Sequence, residues 1–195
     1  AETALRTSVE GDGRAGRHFV TARPKEVKMT LKQIVNETKF WLGSADGRKG
    51  VDPGDEQTAK LAECARRTIE KIAAEYLPLV DVARVTAADG KFCLTDLPNR
   101  AIAVKKVKKG GAIVSFRCRG NVCEVAEDGA LEAEYHYFPR RAAWDDECDV
   151  APSVSAKSVA LGVAAEYCAI EGMPDLAEDF GDRFAEDMRA AVRIR

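Results

Sequence analysis

The sequence is poor in the residues on which most enzymes depend. It holds two histidines, His18 and His136, in 195 residues. A serine, cysteine or threonine nucleophile needs a base within hydrogen-bond reach, and this scarcity leaves His136 as the one realistic base. His136 lies in AEYHYF, where alternation puts it on one face of a strand, a setting far commoner for a structural histidine than for a catalytic one. The expected catalytic set is therefore empty, and the chain is read as a non-enzyme.

Long apolar runs are missing too. None approaches the roughly 18 residues needed to span a bilayer, and the N-terminus has no apolar signal core, so a soluble protein made inside the cell is expected. Charge of one sign is not in excess: 30 Lys and Arg oppose 32 Asp and Glu, for a net charge of -2. That balance gives no global attraction to nucleic acid or an anionic membrane, so any such contact must come from a local patch. The phosphate-cradling patterns G-x-x-x-x-G-K-[ST] and G-x-G-x-x-G are absent, and no cofactor is expected. The carboxylates Asp145, Asp146, Glu147 and Asp149 lack the spacing of a calcium loop and read as a solvated acidic stretch. Of the six cysteines, only Cys118 and Cys123 are close in sequence, with no second Cys or His pair to complete a zinc set. The expectation is no metal, and reduced, mostly buried thiols.

What is present organises well from Met29 onward. Residues 1 to 28 show neither helical nor alternating period, and they read as a flexible leader or arm that need not be native. If native, that arm has the alternative of ordering on a neighbouring subunit. Residues 29–195 then form a single α+β domain. Thr30 and Gln33 spell a capping box before a helical stripe of Leu31, Ile34, Val35, Thr38, Trp41 and Leu42, and Gly43 supplies the stop. A Gly-rich, charged stretch, SADGRKGVDPGD, reads as an exposed loop. Asp55 caps a second helix that Pro78 ends.

Beyond Pro78 the period falls from 3.6 to 2. Strands are expected over 80–86, 91–95, 101–107, 112–118, 122–126 and 131–138, punctuated by Asp89-Gly90, Gly110-Gly111, Arg119-Gly120-Asn121 and Asp128-Gly129. Such brief turns favour an antiparallel β-meander inserted into a bundle made by the N- and C-terminal helices. Ser153 or Ser155 caps the third helix, whose Val159, Val163, Tyr167 and Ile170 belong to an all-round apolar sequence that suggests a subunit interface. Pro174 opens the last helix, acidic early and basic late. Lys105, Lys106, Lys108 and Lys109, with Arg117 and Arg119 at the next turn, make a basic rim able to meet phosphates without reading sequence. The simpler account of the same lysines is protection of an exposed strand edge.

The order of these parts, the LKQIVNETKFWLG opening helix, the helix ending AAEYLPL, strands closing in EYHYFPRR and the hairpin containing AAEYCAIEG and GDRFAEDM, resembles the head-to-tail connector or adaptor (neck) proteins of tailed bacteriophages. The resemblance implies a structural virion protein assembled in the host cytoplasm. Its subunits would form a homo-oligomeric ring under the portal protein, joined below to a neck or tail protein, with DNA passing through the channel past the lysine rim. A tail-completion component of the same module and a nucleic-acid-binding module using that rim are the alternatives.

Overall fold

A computed structural model describes residues 29–43 and 54–194. The arm over 1 to 28, with His18, and most of the loop after Gly43 lie outside the described residues. Helix α1 (Leu31–Trp41) opens on the expected capping box, with the Thr30 and Gln33 side chains each bonded to the other's backbone N–H. Helix α2 (Glu56–Lys71) is capped by Asp55 and continues into a π-helical turn over Ile72–Tyr76. Leu77 N–H reaches back to Ile72 O at 2.8 Å, and Pro78 stops the helix there. Lys39 of α1 is buried. Its ammonium donates to Thr58 Oγ1 at 2.8 Å and lies 3.6 Å from Asp55 Oδ2, tying α1 to the start of α2.

Helices α3 (Ala156–Ile170) and α4 (Pro174–Arg193) form the closing hairpin through Gly172, whose φ of 75° ends α3. Ser155, not Ser153, is the α3 cap. α3 is the central helix and packs against α1, α2 and α4. At its closest approach Gly162 leaves room for Thr68 and the Phe184 ring. Leu31, Leu61, Ile72, Val159, Val163 and Met188 fill the core of this helical layer.

The strands form a second body with its own core. β1 (Leu79–Ala87), β7 (Gly129–Tyr137), β3 (Ala101–Lys109) and β4 (Ala112–Val114) make one antiparallel sheet in that spatial order. β2 (Lys91–Cys93), β6 (Val122–Val125) and β5 (Phe116–Arg119) make the other. Phe92, Val107, Leu131 and Tyr135 meet in the core they share. The α+β class expected from the sequence is thus what the structure has, with the strands inserted between α2 and α3.

The meander order is not. β7 lies between β1 and β3, because its nine residues pair with β1 on one side and β3 on the other. The expected strand over 112–118 breaks at Ser115 and passes from one sheet to the other. The strand expected over 91–95 gives way after Cys93 to a 3-10 turn. The Asp89-Gly90 turn does form, with φ of 52° and 68° as a type I′ hairpin requires. Its ladder covers only Ala88 and Lys91 before β2 turns away to β6.

The acidic stretch after Pro139 is no free loop. Lys32 N–H bonds Trp144 O, Cys148 N–H bonds Met29 O, and Thr30 pairs with Glu147, so this strap lies on the entry to α1. Arg141 grips Glu63 of α2 with distances of 2.6 and 2.7 Å, and Arg100 pairs with Glu70 at 3.3 Å. These ion pairs join the helical layer to the segments bordering the sheets.

Candidate interaction surfaces

The lysines of the rim lie on β3 and its arginines on β5, in different sheets, and the register of each strand with its neighbour decides the electrostatics. Lys106 stands opposite Glu134 and Lys108 opposite Glu132. Lys109 makes an ion pair with Glu127 at 3.1 Å, and Arg117 is registered with Glu124 across the β5–β6 hairpin. Cross-strand neighbours of opposite sign stabilise a sheet and cancel its field at a distance. Lys105 and Arg119 differ: Lys105 is the extra residue of a bulge, and Arg119 faces Val122. β4 covers only Val107 to Lys109, so the earlier part of β3 has no strand on that side among the described residues. A bulge carrying a lysine there matches the means by which proteins protect an exposed edge.

The α3 residues expected at a subunit interface divide. Val159 and Val163 are 0% exposed and Tyr167 9%, all within the helical core, whereas Ile170 is 55% exposed. A helix apolar on every side is one surrounded by other helices, and α3 is covered by three. Exposed apolar side chains occur elsewhere: Phe40 on α1, Val80 and Val82 on β1, Ile113 on β4, and a group at the α3–α4 end comprising Ile170, Met173 and Leu176.

His136 is half-buried on the outer face of β7, registered between Val80 and Ala103. The polar cluster at the sheet lies instead on the inner face. Tyr135, fully buried, donates its hydroxyl to Asp81 Oδ2 at 3.1 Å, and Asn99 Nδ2 donates to the same oxygen at 3.0 Å. Burial holds the Tyr135 phenol above its ordinary pKa. The signal for this cluster was present in LVDVARVTA, where Asp81 has the same parity as the buried Ala83, Val85 and Ala87.

Cys118 and Cys123 form a disulfide across the β5–β6 hairpin, which corrects the expectation that all six thiols are reduced. The reason is the two-residue turn at Gly120-Asn121, which sets these two residues directly opposite each other. Cys64, Cys148 and Cys168 are buried free thiols and Cys93 an exposed one. Burial pushes Cys64 and Cys148 up to about 11, well away from a reactive thiolate. Among the described residues no three His, Cys, Asp or Glu side chains are placed to hold a metal. Asp145 pairs with Lys32, Asp146 accepts the Ala143 N–H and Asp149 takes Arg140, so these carboxylates are engaged by the protein itself. A shallow apolar groove of about 370 Å³ lies where the two bodies join, between Leu77, Pro78, Val80, Tyr137 and Pro152. No helix among the described residues is long and apolar enough to cross a membrane.

No protein-family model matches the chain, and no curated protein matches its sequence.

Proposed function

We propose that this chain is a structural subunit of the neck of a tailed bacteriophage, a head-to-tail connector that forms a homo-oligomeric ring beneath the portal. The observation that carries the reading is the division into two bodies. A helical layer built from both ends of the sequence and a β body inserted between α2 and α3 have separate cores. A ring subunit needs one surface for its neighbours and another for what docks above or below, and two bodies supply both. Exposed apolar side chains on each of them, Phe40 and Leu176 on the helices and Val80 and Val82 on the sheet, support the same reading. DNA in the channel would meet a rim whose lysines are largely balanced by Glu127, Glu132 and Glu134. Such a rim suits passage better than retention.

The test is reconstitution. Purified chain is mixed with portal rings from the phage or prophage whose genome encodes it, and the mixture is resolved by sedimentation. Co-migration in a fixed stoichiometry is expected. Absence of co-migration, together with a gene lying away from portal and capsid genes, would overturn the proposal.

A further inference from the structure

β1 is unlike the other strands at the edges of the two sheets. β4, β2 and β5 run for three, three and four residues, whereas β1 runs for nine. Its ladder with β7 is regular from Leu79 to Ala87, with no bulge. Just beyond it, Ala88 exchanges both backbone bonds with Lys91 on the side away from β7. Backbone groups alternate in direction along a strand, so the N–H and C=O groups of Thr86, Arg84, Val82 and Val80 point to that same side. β2 turns away to β6, and no strand among the described residues pairs with β1 there. Exposed edges are ordinarily protected by short length, lysine, proline, a bulge or an inward-pointing charge. The sequence LVDVARVTA has neither lysine nor proline, and its Arg84 is exposed on the outer face. The inward-pointing charge is present. Asp81 shares the face of the buried Ala83 and Val85, and its Oδ1 accepts the Val82 N–H at 2.8 Å. Its Oδ2 accepts from the Tyr135 hydroxyl and from Asn99 Nδ2, which holds the carboxylate in place.

We propose that Asp81 is a gatekeeper that keeps this edge closed to strand addition, and that the partner it excludes is β1 of a second copy. A sheet edge accepts an extended segment, and β1 is already extended, so pairing with its like needs no further ordering. An antiparallel pair about a two-fold axis at Ala83 sets Val82 of each copy opposite Arg84 of the other. That register brings the outward N–H and C=O groups together and places no like charges opposite each other. The contact is isologous and joins the two larger sheets into one. With Asp81 in place, the same register breaks the bond from the Val82 N–H and sets a carboxylate beside Val85 of the other copy. Both steps oppose closure, one by the lost hydrogen bond and the other by bringing a charge against apolar surface. The gate is a property of the free chain and stands independently of the ring reading, since its test involves no portal.

Sedimentation of purified Asp81→Ala reads the gate directly. Self-association is expected to tighten about tenfold or more over the parent, with the mean mass rising toward twice 21.2 kDa. Adding Arg84→Pro is expected to return the variant to the parent's mass, because a proline there removes an outward N–H and leaves the β7 ladder intact. Leu131→Ala opens a cavity in the same core with Asp81 retained, and is expected to associate no more than the parent. That control separates loss of the gate from loss of stability. Amide hydrogen exchange of the unaltered protein gives an independent reading, and it decides where Asp81→Ala does not fold. Val82 is expected to exchange about tenfold more slowly than Arg84 and Thr86. No gain of association in Asp81→Ala, an equal gain in Leu131→Ala, or a proline that does not reverse it would each overturn the proposal. So would assemblies that grow beyond a dimer, or Arg84 and Thr86 amides that exchange as slowly as those bonded to β7.

Discussion

Asp81 and Tyr135 are joined by a hydrogen bond of 3.1 Å, and the same carboxylate accepts the Val82 backbone N–H at 2.8 Å through its other oxygen. One side chain thus anchors a fully buried phenol and occupies a backbone donor of the sheet's outermost strand. Asp81→Ala leaves the Tyr135 hydroxyl without its acceptor, while Asn99 keeps only its longer bond to the Tyr135 oxygen at 3.4 Å, and is expected to destabilise the protein by about 1–3 kcal/mol. Tyr135→Phe removes the donor instead and costs about 1 kcal/mol. Urea unfolding of both variants and the double mutant should give a coupling of at least about 0.5 kcal/mol, and additivity would show that the bond is immaterial. Because burial raises the phenol's pKa, its contribution is complete below the ordinary tyrosine value and lost as pH rises through the folded one.

The α2 cap gives the opposite pH dependence. The Thr58 backbone N–H, then the Thr58 hydroxyl, hold the Asp55 carboxyl below its ordinary value. Its contribution is therefore present above the ordinary carboxylate pKa of about 4 and is lost as pH falls through the folded value. Comparing Asp55→Asn with the parent by thermal unfolding from pH 6 downward should show the parent's advantage shrinking below about pH 4. A pH-independent difference would mean that the charge is not involved.

Two glycines in the C-terminal helices predict opposite signs. A Cβ at Gly162 would lie 2.7 Å from Thr68 Cγ2 and 2.9 Å from the Phe184 ring, so Gly162→Ala is expected to cost about 1–3 kcal/mol by overpacking. Gly181 has open space around it, and Gly181→Ala should stabilise by about 0.5–1 kcal/mol through helix propensity. Melting temperatures of the two variants on either side of the parent's would bear this out.

Thiol counting tests the hairpin disulfide. A thiol reagent added to the native protein should modify one cysteine rapidly, Cys93, then four after denaturation, and all six only after reduction. Cys118 and Cys123 enclose a short loop, so reduction is expected to cost the sheets about 2 kcal/mol and to leave the helices unaffected. Six thiols in the unreduced, denatured protein would refute the pairing.

The balance of the lysine rim predicts a gain of binding. Converting Glu132 and Glu134 to Gln leaves Lys106 and Lys108 without their registered partners. Retention on a DNA column at low salt should increase and disappear with added salt. Unchanged retention would show that these glutamates do not govern the rim.

Local signals in the sequence translated faithfully. Thr30 with Gln33, Asp55, Gly43 and Gly172 mark helix ends through contacts within four residues, and each is found where those rules place it. Strand order depends on partners far apart in the chain. Nothing near Leu131 reveals that it will pair with Val85, more than forty residues earlier, instead of with the preceding hairpin. The all-round apolar run of α3 is compatible with burial inside one chain or between chains, and only the positions of α1, α2 and α4 decide for the former. Likewise the net lysine content of β3 was visible, but the glutamates that offset it are supplied by β7 through register.

Leu79 and Tyr137, the first and last residues of the β body, are registered partners on adjacent strands. The chain leaves the helical layer and re-enters it at almost the same point, with Pro78 just before and Pro139 just after. For the helices, the whole of 79–137 is topologically a side branch whose two ends are already neighbours. Such an arrangement lets a lineage lengthen, replace or discard the branch without rethreading the helices, so its length and surface are free to diverge while the helical layer stays the same.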